Sequence, residues 1–261
     1  MTFFDTAECY VGTGADGQPV YNEELVGKAL KPYRDRIIIA TKFGVHHNDD
    51  SSLRMDSRPE IIRKSVEGSL KRLNTDYIDL YYQHRIDPNV EPEEVADVMK
   101  EHIKEGKIRA WGISEAGEEY IRRADKVCHV TAIQNRYSMM YRNYEDLLPV
   151  LSELGIAFVA HSPLANGFLS GKYDKNSVFD KQYDYRSDMP QFKAENADKN
   201  KDLLDMLNRM AEEKSATYAQ ISLSWLMAKS IIPIPGTQKL VRIEENSGAT
   251  DITLTQKKVT V

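Results

Sequence analysis

Three short apolar runs restrict what this chain can fold into. RIIIAT at 36–41, YIDLYY at 77–82 and IAFVAHS at 156–162 leave almost no position for a solvated face. A strand with one wet side alternates apolar and polar residues. A nearly continuous run marks a parallel strand buried on both sides. Weaker candidates of the same kind lie at 2–6, 108–114, 132–137 and 231–234. Between these runs the apolar period changes to about 3.6. Ile62, Val66, Leu70 and Leu73 share one face of a helix predicted over 59–73, with Pro59 suited to its first turn. Val95, Val98, Met99 and Ile103 do the same over 92–105, and Gly106 ends that helix. Further helices are predicted from Asn22, over 147–154 closing on Gly155, over 203–214 and over 218–228, with a last start at 254–258. Trp111 and Trp225 are read as core.

Strand and helix alternating in this way mean βαβ units and a parallel sheet. The chain has 261 residues, and one α/β barrel typically takes about 250. The expected fold is therefore a (β/α)8 TIM barrel forming a single domain over 1–261. Seven units can be counted where closure needs eight, and the chain opens directly inside its first strand. The expectation is that the first N-terminal βα unit, and part of the C-terminus, lie outside this sequence. The polar stretch 172–201 reads as a long loop over one face.

Composition excludes several classes. A net charge of −5 without a long basic tract argues against a nucleic-acid binder. Two cysteines, Cys9 and Cys128, make no disulfide framework. No apolar stretch approaches the ~20 residues of a membrane span, and MTFFDTAECY has no signal-peptide profile. A cytoplasmic protein with no membrane partner is expected. The sequence carries no reading of oligomeric state.

In a barrel the carboxyl ends of all strands meet on one face, where the active site sits. Asp5, Lys42 and His84 each end a predicted strand, and Tyr10 follows on the first loop. Reducing a carbonyl by hydride needs a proton for the oxygen. A tyrosine beside an ammonium can give it, because the cation stabilises the phenolate. Asp5 would hold Lys42 charged and aimed; His84 would orient the carbonyl. Each residue alone has a plainer reading as a cap, a turn or a solvated charge; their joint placement favours the chemistry. Phosphate sites in such barrels use the loops after the last strands. Those loops are 162–172, rich in Ser and Gly, and 235–239, which leads to Arg242, Glu245 and Asn246. Lys239 and Arg242 are suited to gripping a 2′-phosphate; a Gly-rich turn and a solvated helix face are the plainer alternatives.

The stretches FFDTAECY, NEELVGKAL, IATKFG, SRPEIIRKSVEGSLKRLNTDYIDLYYQHR, GKIRAWGISEA, IQNRYS, HSPLANGFLSGK and IPIPGT with RIEEN span nearly the whole chain. On them the chain resembles the aldo-keto reductase family, in particular bacterial, fungal and plant aldehyde-reducing members of the pyridoxal-reductase-like or auxin-induced-like kind. The resemblance implies an NADPH-dependent enzyme reducing a small-molecule aldehyde or ketone, with Asp5, Tyr10, Lys42 and His84 as catalytic tetrad and Tyr10 as proton donor. It implies that Ser114, Glu115 and Gln134 lie by the nicotinamide carboxamide. It places Ser162, Pro163, Leu164, Gly167 and Gly171 along the pyrophosphate. Gly236, Thr237, Gln238, Arg242, Glu245 and Asn246 fall at the adenosine end. His161 stands where relatives carry an aromatic residue that stacks on the nicotinamide, and Ala165-Asn166 where they read Gly-Arg. Two rivals share these motifs: a cofactor-binding regulatory module like potassium-channel β subunits, and an inactive truncated fragment.

Three features read as unrelated to the site. Gly12-Thr13-Gly14-Ala15-Asp16-Gly17 satisfies GxGxxG but neither follows a strand directly nor opens a helix; the longer loop 11–20 is expected to be a flexible insertion. His46-His47-Asn48-Asp49-Asp50 reads as a polar loop and not a metal site. Cys9 reads as a small packed residue, with redox sensitivity as the alternative if Lys42 lowers its pKa.

Overall fold

The computed structural model describes residues 2–48, 52–174, 176–181 and 184–260. The chain carries seven parallel strands separated by helices, the succession of βα units expected. Backbone packing divides it into two compact units, Met1–Asn135 with Asp146–Phe158, and Arg136–Glu145 with Val159–Val261.

In the first unit the parallel strands are β1 (Phe3–Asp5), β4 (Ile38–Phe43), β7 (Ile78–Gln83), β8 (Ile108–Ser114) and β9 (Ala132–Arg136). They pair in that order, with Asp5 opposite Ala40, Lys42 opposite Tyr82, Gln83 opposite Ile113 and Ser114 opposite Gln134. β7 is buried at every position, as its unbroken apolar run requires. The second of these strands starts two residues later than the sequence suggests. Arg36 still belongs to a 3-10 turn, Lys31–Arg36, that opens with proline near its start. Lys42 consequently lies within β4 instead of beyond it.

Helices cover this sheet. α1 is Asn22–Leu30, α2 is Pro59–Leu73, α3 is Pro92–Lys104, α4 is Glu118–Asp125 and α5 is Leu148–Leu154. α2 has proline at its start and ends on left-handed Asn74, whose N–H closes on the carbonyls of Leu70 and Lys71. Its buried face carries Ile62, Val66 and Leu73, each worth roughly 2 kcal/mol of burial. In α3 the buried set includes His102, while Ile103 is only half-buried. The stripe thus ends one residue earlier than expected, on a histidine whose Nδ1 reaches Glu105 at 3.3 Å.

Two segments read as loops are hairpins. β2 (Val11–Thr13) pairs antiparallel with β3 (Pro19–Tyr21). The turn closes through Gly14 N–H to Gln18 O at 2.8 Å, with Gly17 at φ +78°. The stretch 11–20 is thus an ordered ribbon rather than a flexible insertion: Val11, Thr13 and Val20 supply β-branched residues around a Gly-rich turn. β5 (Val45–His47) likewise pairs with β6 (Leu53–Met55). His46 and His47 therefore sit on a strand; Asp49 and Asp50 of the same motif lie outside the described residues.

The second unit contains β10 (Ala157–His161) in its greater part, parallel to β11 (Ile232–Pro233). It also holds α6 (Ala197–Lys214), α7 (Tyr218–Ala228), α8 (Leu240–Ser247) and α9 (Gln256–Val259). α7 begins with a reciprocal capping box between Thr217 and Gln220. Trp225 is fully buried, stacks on Tyr137 at 5.7 Å, and donates its indole N–H to Val259 O at 3.0 Å. The expected long loop 172–201 is shorter in fact. Residues 185–196 form short 3-10 turns, and α6 begins at Ala197. Among the described residues no helix is long and apolar enough to cross a membrane.

Gly112 shows how tightly the first unit is packed. A Cβ there would sit 2.4 Å from the Ala132 carbonyl oxygen and 2.5 Å from the Tyr82 ring. Gly112→Ala should lower unfolding free energy by about 3 kcal/mol in guanidinium titrations; an unchanged midpoint would contradict this packing.

Candidate active site

The four residues singled out in the sequence meet at one end of the first unit's sheet. Asp5 closes β1, Lys42 stands one residue from the end of β4, and His84 directly follows β7. Parallel register alone carries them to the same edge. Lys42 is fully buried. Its ammonium forms an ion pair with Asp5 Oδ1 and donates to Thr6 O at 2.7 Å. The other Asp5 oxygen accepts from Gln134 Nε2 at 2.8 Å. The carboxylate is thereby held from both sides.

Tyr10 lies on the turn after β1. Its N–H bonds Ala7 O at 3.1 Å, and its carbonyl accepts from Asn22 N–H at 2.9 Å, at the start of α1. The Tyr10 ring meets His84 edge-on at 5.8 Å, and Lys42 Nζ lies 5.2 Å from its centroid. Unlike its partners, Tyr10 is 45% exposed. A phenol open to an incoming molecule thus stands before a buried cation and beside an imidazole.

Cys9 fixes the imidazole. Its Sγ lies 3.4 Å from His84 Nδ1. Burial pushes the thiol up to about 11, and Glu8 adds to this, against the opposing pull of Lys42. Cys9 therefore stays protonated at neutral pH, a thiol beside the imidazole. The Lys42 ammonium does not activate this thiol.

Ser114 Oγ donates to Gln134 O at 2.7 Å and accepts from Arg85 Nη1 at 3.1 Å. Glu115 adopts left-handed φ +57°, and its N–H reaches Gln134 O at 3.2 Å. These three residues form one knot at the ends of β8 and β9. The amide of Gln134 faces the tetrad carboxylate, an additional contact that the sequence does not reveal.

The second unit contains a cavity of about 530 Å³. Of the predicted cofactor residues, Ser162, Pro163, Leu164, Gly167, Gly236, Thr237, Arg242, Glu245 and Asn246 line it. Gly171 and Gln238 are not among its walls; Gly171 is left-handed and packed against the Tyr218 ring. His161 lies at the end of β10, with Nδ1 3.3 Å from Ser162 Oγ. Ser162, Ala165, Asn166 and Gly167 all have φ between +48° and +95°. Such backbone costs a non-glycine residue about 1–2 kcal/mol, and is concentrated where a loop must bend around a ligand. Ala165 at φ +48° explains why glycine suits that place.

Sequence reasoning reached Lys172 at the end of the first loop but missed the wall contributed by Tyr173, Asp184, Tyr185 and Arg186. Asn166 Nδ2 donates to Tyr185 Oη at 2.9 Å, and Tyr173 packs over Gly167. Arg186 pairs with Asp184 and Tyr173 Oη. Arg242 pairs with Glu245. Among the described residues neither Lys172 nor Lys239 pairs with a carboxylate, so two cations face this cavity uncompensated. The alternation of Lys, Tyr and Arg along 172–186 was the available signal.

A family model described as the aldo/keto reductase family matches residues 1–260. The chain belongs to the aldo/keto reductase family. It is 41% identical over 261 residues to a probable aldo-keto reductase 1 of Glycine max, covering 98% of this chain and 73% of that protein. Among solved structures it resembles a glycerol dehydrogenase of Gluconobacter oxydans, with a TM-score of 0.90 and 28% identity over 100% of this chain and 79% of the other. It also resembles an aldo/keto reductase of Klebsiella pneumoniae crystallised with NADP and acetate. There the TM-score is 0.74 and the identity 27%, over 100% of this chain and 78% of that one. The aldo/keto reductase fold accounts for the succession of parallel βα units, and membership places the chain among oxidoreductases.

The thiol state is directly measurable. In a Cys128→Ala background, Cys9 should react with a disulfide reagent at neutral pH about 100-fold more slowly than free cysteine, with the rate climbing toward pH 11. Rapid labelling at pH 7 would contradict the assigned thiol.

Proposed function

We propose that this aldo/keto reductase reduces an aldehyde or ketone to an alcohol with NADPH, and that the whole chain serves one such site. The supporting observation is the joint placement of Tyr10, Lys42, Asp5 and His84 at one sheet edge.

NADPH, when bound, supplies a hydride to the carbonyl carbon. The His84 imidazole hydrogen-bonds the carbonyl oxygen and holds the carbon in reach. Tyr10 gives its hydroxyl proton to that oxygen as negative charge develops. The Lys42 ammonium stabilises the phenolate left behind; in a buried setting its field is far stronger than in water. Asp5 keeps Lys42 charged despite burial. For the cofactor, Ser114, Glu115 and Gln134 are the residues to hold the carboxamide. The bent loop from Ser162 to Gly167 would hold the pyrophosphate, with Gly171 shaping its end and His161 stacking on the ring. Gly236, Thr237, Gln238, Glu245 and Asn246 would hold adenosine. Lys239 and Arg242 favour a 2′-phosphate; the left-handed loop and the unpaired lysines fit such an anion.

Tyr10→Phe should lower kcat for a reactive aldehyde about 10³-fold while quenching of protein fluorescence by NADPH stays intact. In the same titration NADPH should bind about thirtyfold more tightly than NADH, as a charge-assisted contact of about 2 kcal/mol requires. An active Tyr10→Phe protein would overturn the role of donor, and tighter NADH binding the choice of cofactor.

A further inference from the structure

The end of β4 is held by three carboxylates, only one of which belongs to the tetrad. Asp5 holds Lys42. Glu23 of α1, itself fully buried, accepts from the Thr41 hydroxyl at 2.6 Å and from Arg72 Nε of α2 at 2.6 Å. Glu8 accepts from the N–H of Gly44 at 2.9 Å through its side chain. Its own N–H donates to Lys42 O at 3.1 Å. Thr41, Lys42 and Gly44 are thus each fastened to a different acidic residue.

Glu8 is the unusual member. It precedes Tyr10 by two residues, on the turn that carries the exposed phenol. Its two bonds straddle Phe43 and clasp that turn to the strand bearing Lys42. Burial raises its carboxyl above the usual range; the nearby Glu23 charge adds to this, while Gly44 N–H, Ser65 and Arg72 oppose it. Arg72 Nη2 stands 4.0 Å from Glu8, and its Nε is already engaged by Glu23. A buried carboxylate sharing one guanidinium with a second is a costly arrangement. Gly44 itself is left-handed at φ +87°, and a Cβ there would press on Ser57 Oγ at 3.2 Å. The backbone is bent at this point, presenting its N–H to Glu8.

We propose that Glu8 is a positioning residue that sets the separation of the Tyr10 hydroxyl from the Lys42 ammonium. This deepens the reductase reading given above and rests on it. Among the described residues the Tyr10 side chain meets Lys42 through its ring face, and the Lys42 ammonium reaches the segment at Thr6 O, four residues before Tyr10. The Glu8 clasp supplies a connection nearer the phenol. Without the Glu8 side chain the turn keeps its backbone bonds to Lys42 O and Asn22 N–H and the Cys9 contact with His84, but it loses its side-chain hold on Gly44, and the phenol can drift from the ammonium.

The test compares Glu8→Ala with Glu8→Gln, whose amide oxygen still accepts from Gly44. Active sites are counted by NADPH fluorescence titration, so that misfolded protein does not enter kcat. Glu8→Ala should lose about 100-fold in kcat, the cost expected of roughly 1 Å of misplacement. Its NADPH affinity and aldehyde KM should remain within about twofold. Glu8→Gln should recover most of the loss. Crystal structures of both variants read the distance from Tyr10 Oη to Lys42 Nζ: longer in Glu8→Ala, unchanged in Glu8→Gln. Undiminished kcat per titrated site in Glu8→Ala, or an unaltered distance, overturns the clasp. Should Glu8→Ala fail to fold, a Glu8→Gln protein with a lengthened distance overturns it equally. Absent turnover in the wild type, with the distance responding as described, defeats the reductase reading and leaves the clasp standing.

Discussion

Everything at the candidate site depends on an ammonium kept in a place with no water. Lys42 has no exposed surface, and an isolated buried charge of this kind would lose its proton or unfold its surroundings. The structure compensates with Asp5, with the Thr6 carbonyl and with the face of the Tyr10 ring. Asp5 is in turn held by Gln134. The ion pair therefore links β1, β4 and β9 at the point where their ends converge, and it sets a positive charge beside the Tyr10 ring.

That arrangement needs a rigid frame, and the frame is made of residues with no chemistry of their own. Gly112 on β8 leaves room for the ring of Tyr82, which stands opposite Lys42 on β7. Glu23 and Arg72 brace α1 and α2 against Thr41. Cys9, kept protonated by burial, stands against Nδ1 of His84. In the second unit a run of left-handed residues after β10 and two lysines without a carboxylate partner among the described residues line one cavity.

The parallel strands were legible because burial on both faces writes itself into RIIIAT and YIDLYY as apolar continuity. Pro59–Leu73 was legible as a helix because a proline start and an apolar stripe agree there, while Tyr218–Ala228 is an apolar run that opens on the Thr217–Gln220 capping box. The tetrad was legible because residue type and strand-end position coincide. What escaped was set by three-dimensional partners. The hairpin at Val11–Thr13 and Pro19–Tyr21 is too short to leave a period. His102, not Ile103, completes the buried stripe of α3, with Nδ1 reaching Glu105. The Gln134 contact to Asp5 spans 129 residues of chain. Tyr173, Tyr185 and Arg186 line the cavity through folded turns in what composition alone describes as polar loop.

The central claim is that the Lys42 charge stabilises the departing proton's phenolate, beyond holding the fold together. The double variant Asp5→Asn/Lys42→Met removes both charges and leaves neither buried without a partner, so the frame should survive. Its pre-steady-state rate of NADPH oxidation by a saturating aldehyde measures the chemical step directly. The account predicts a folded protein that binds NADPH as before and transfers hydride at least about 100-fold more slowly. A folded, cofactor-binding double variant with an unaltered hydride-transfer rate would contradict it.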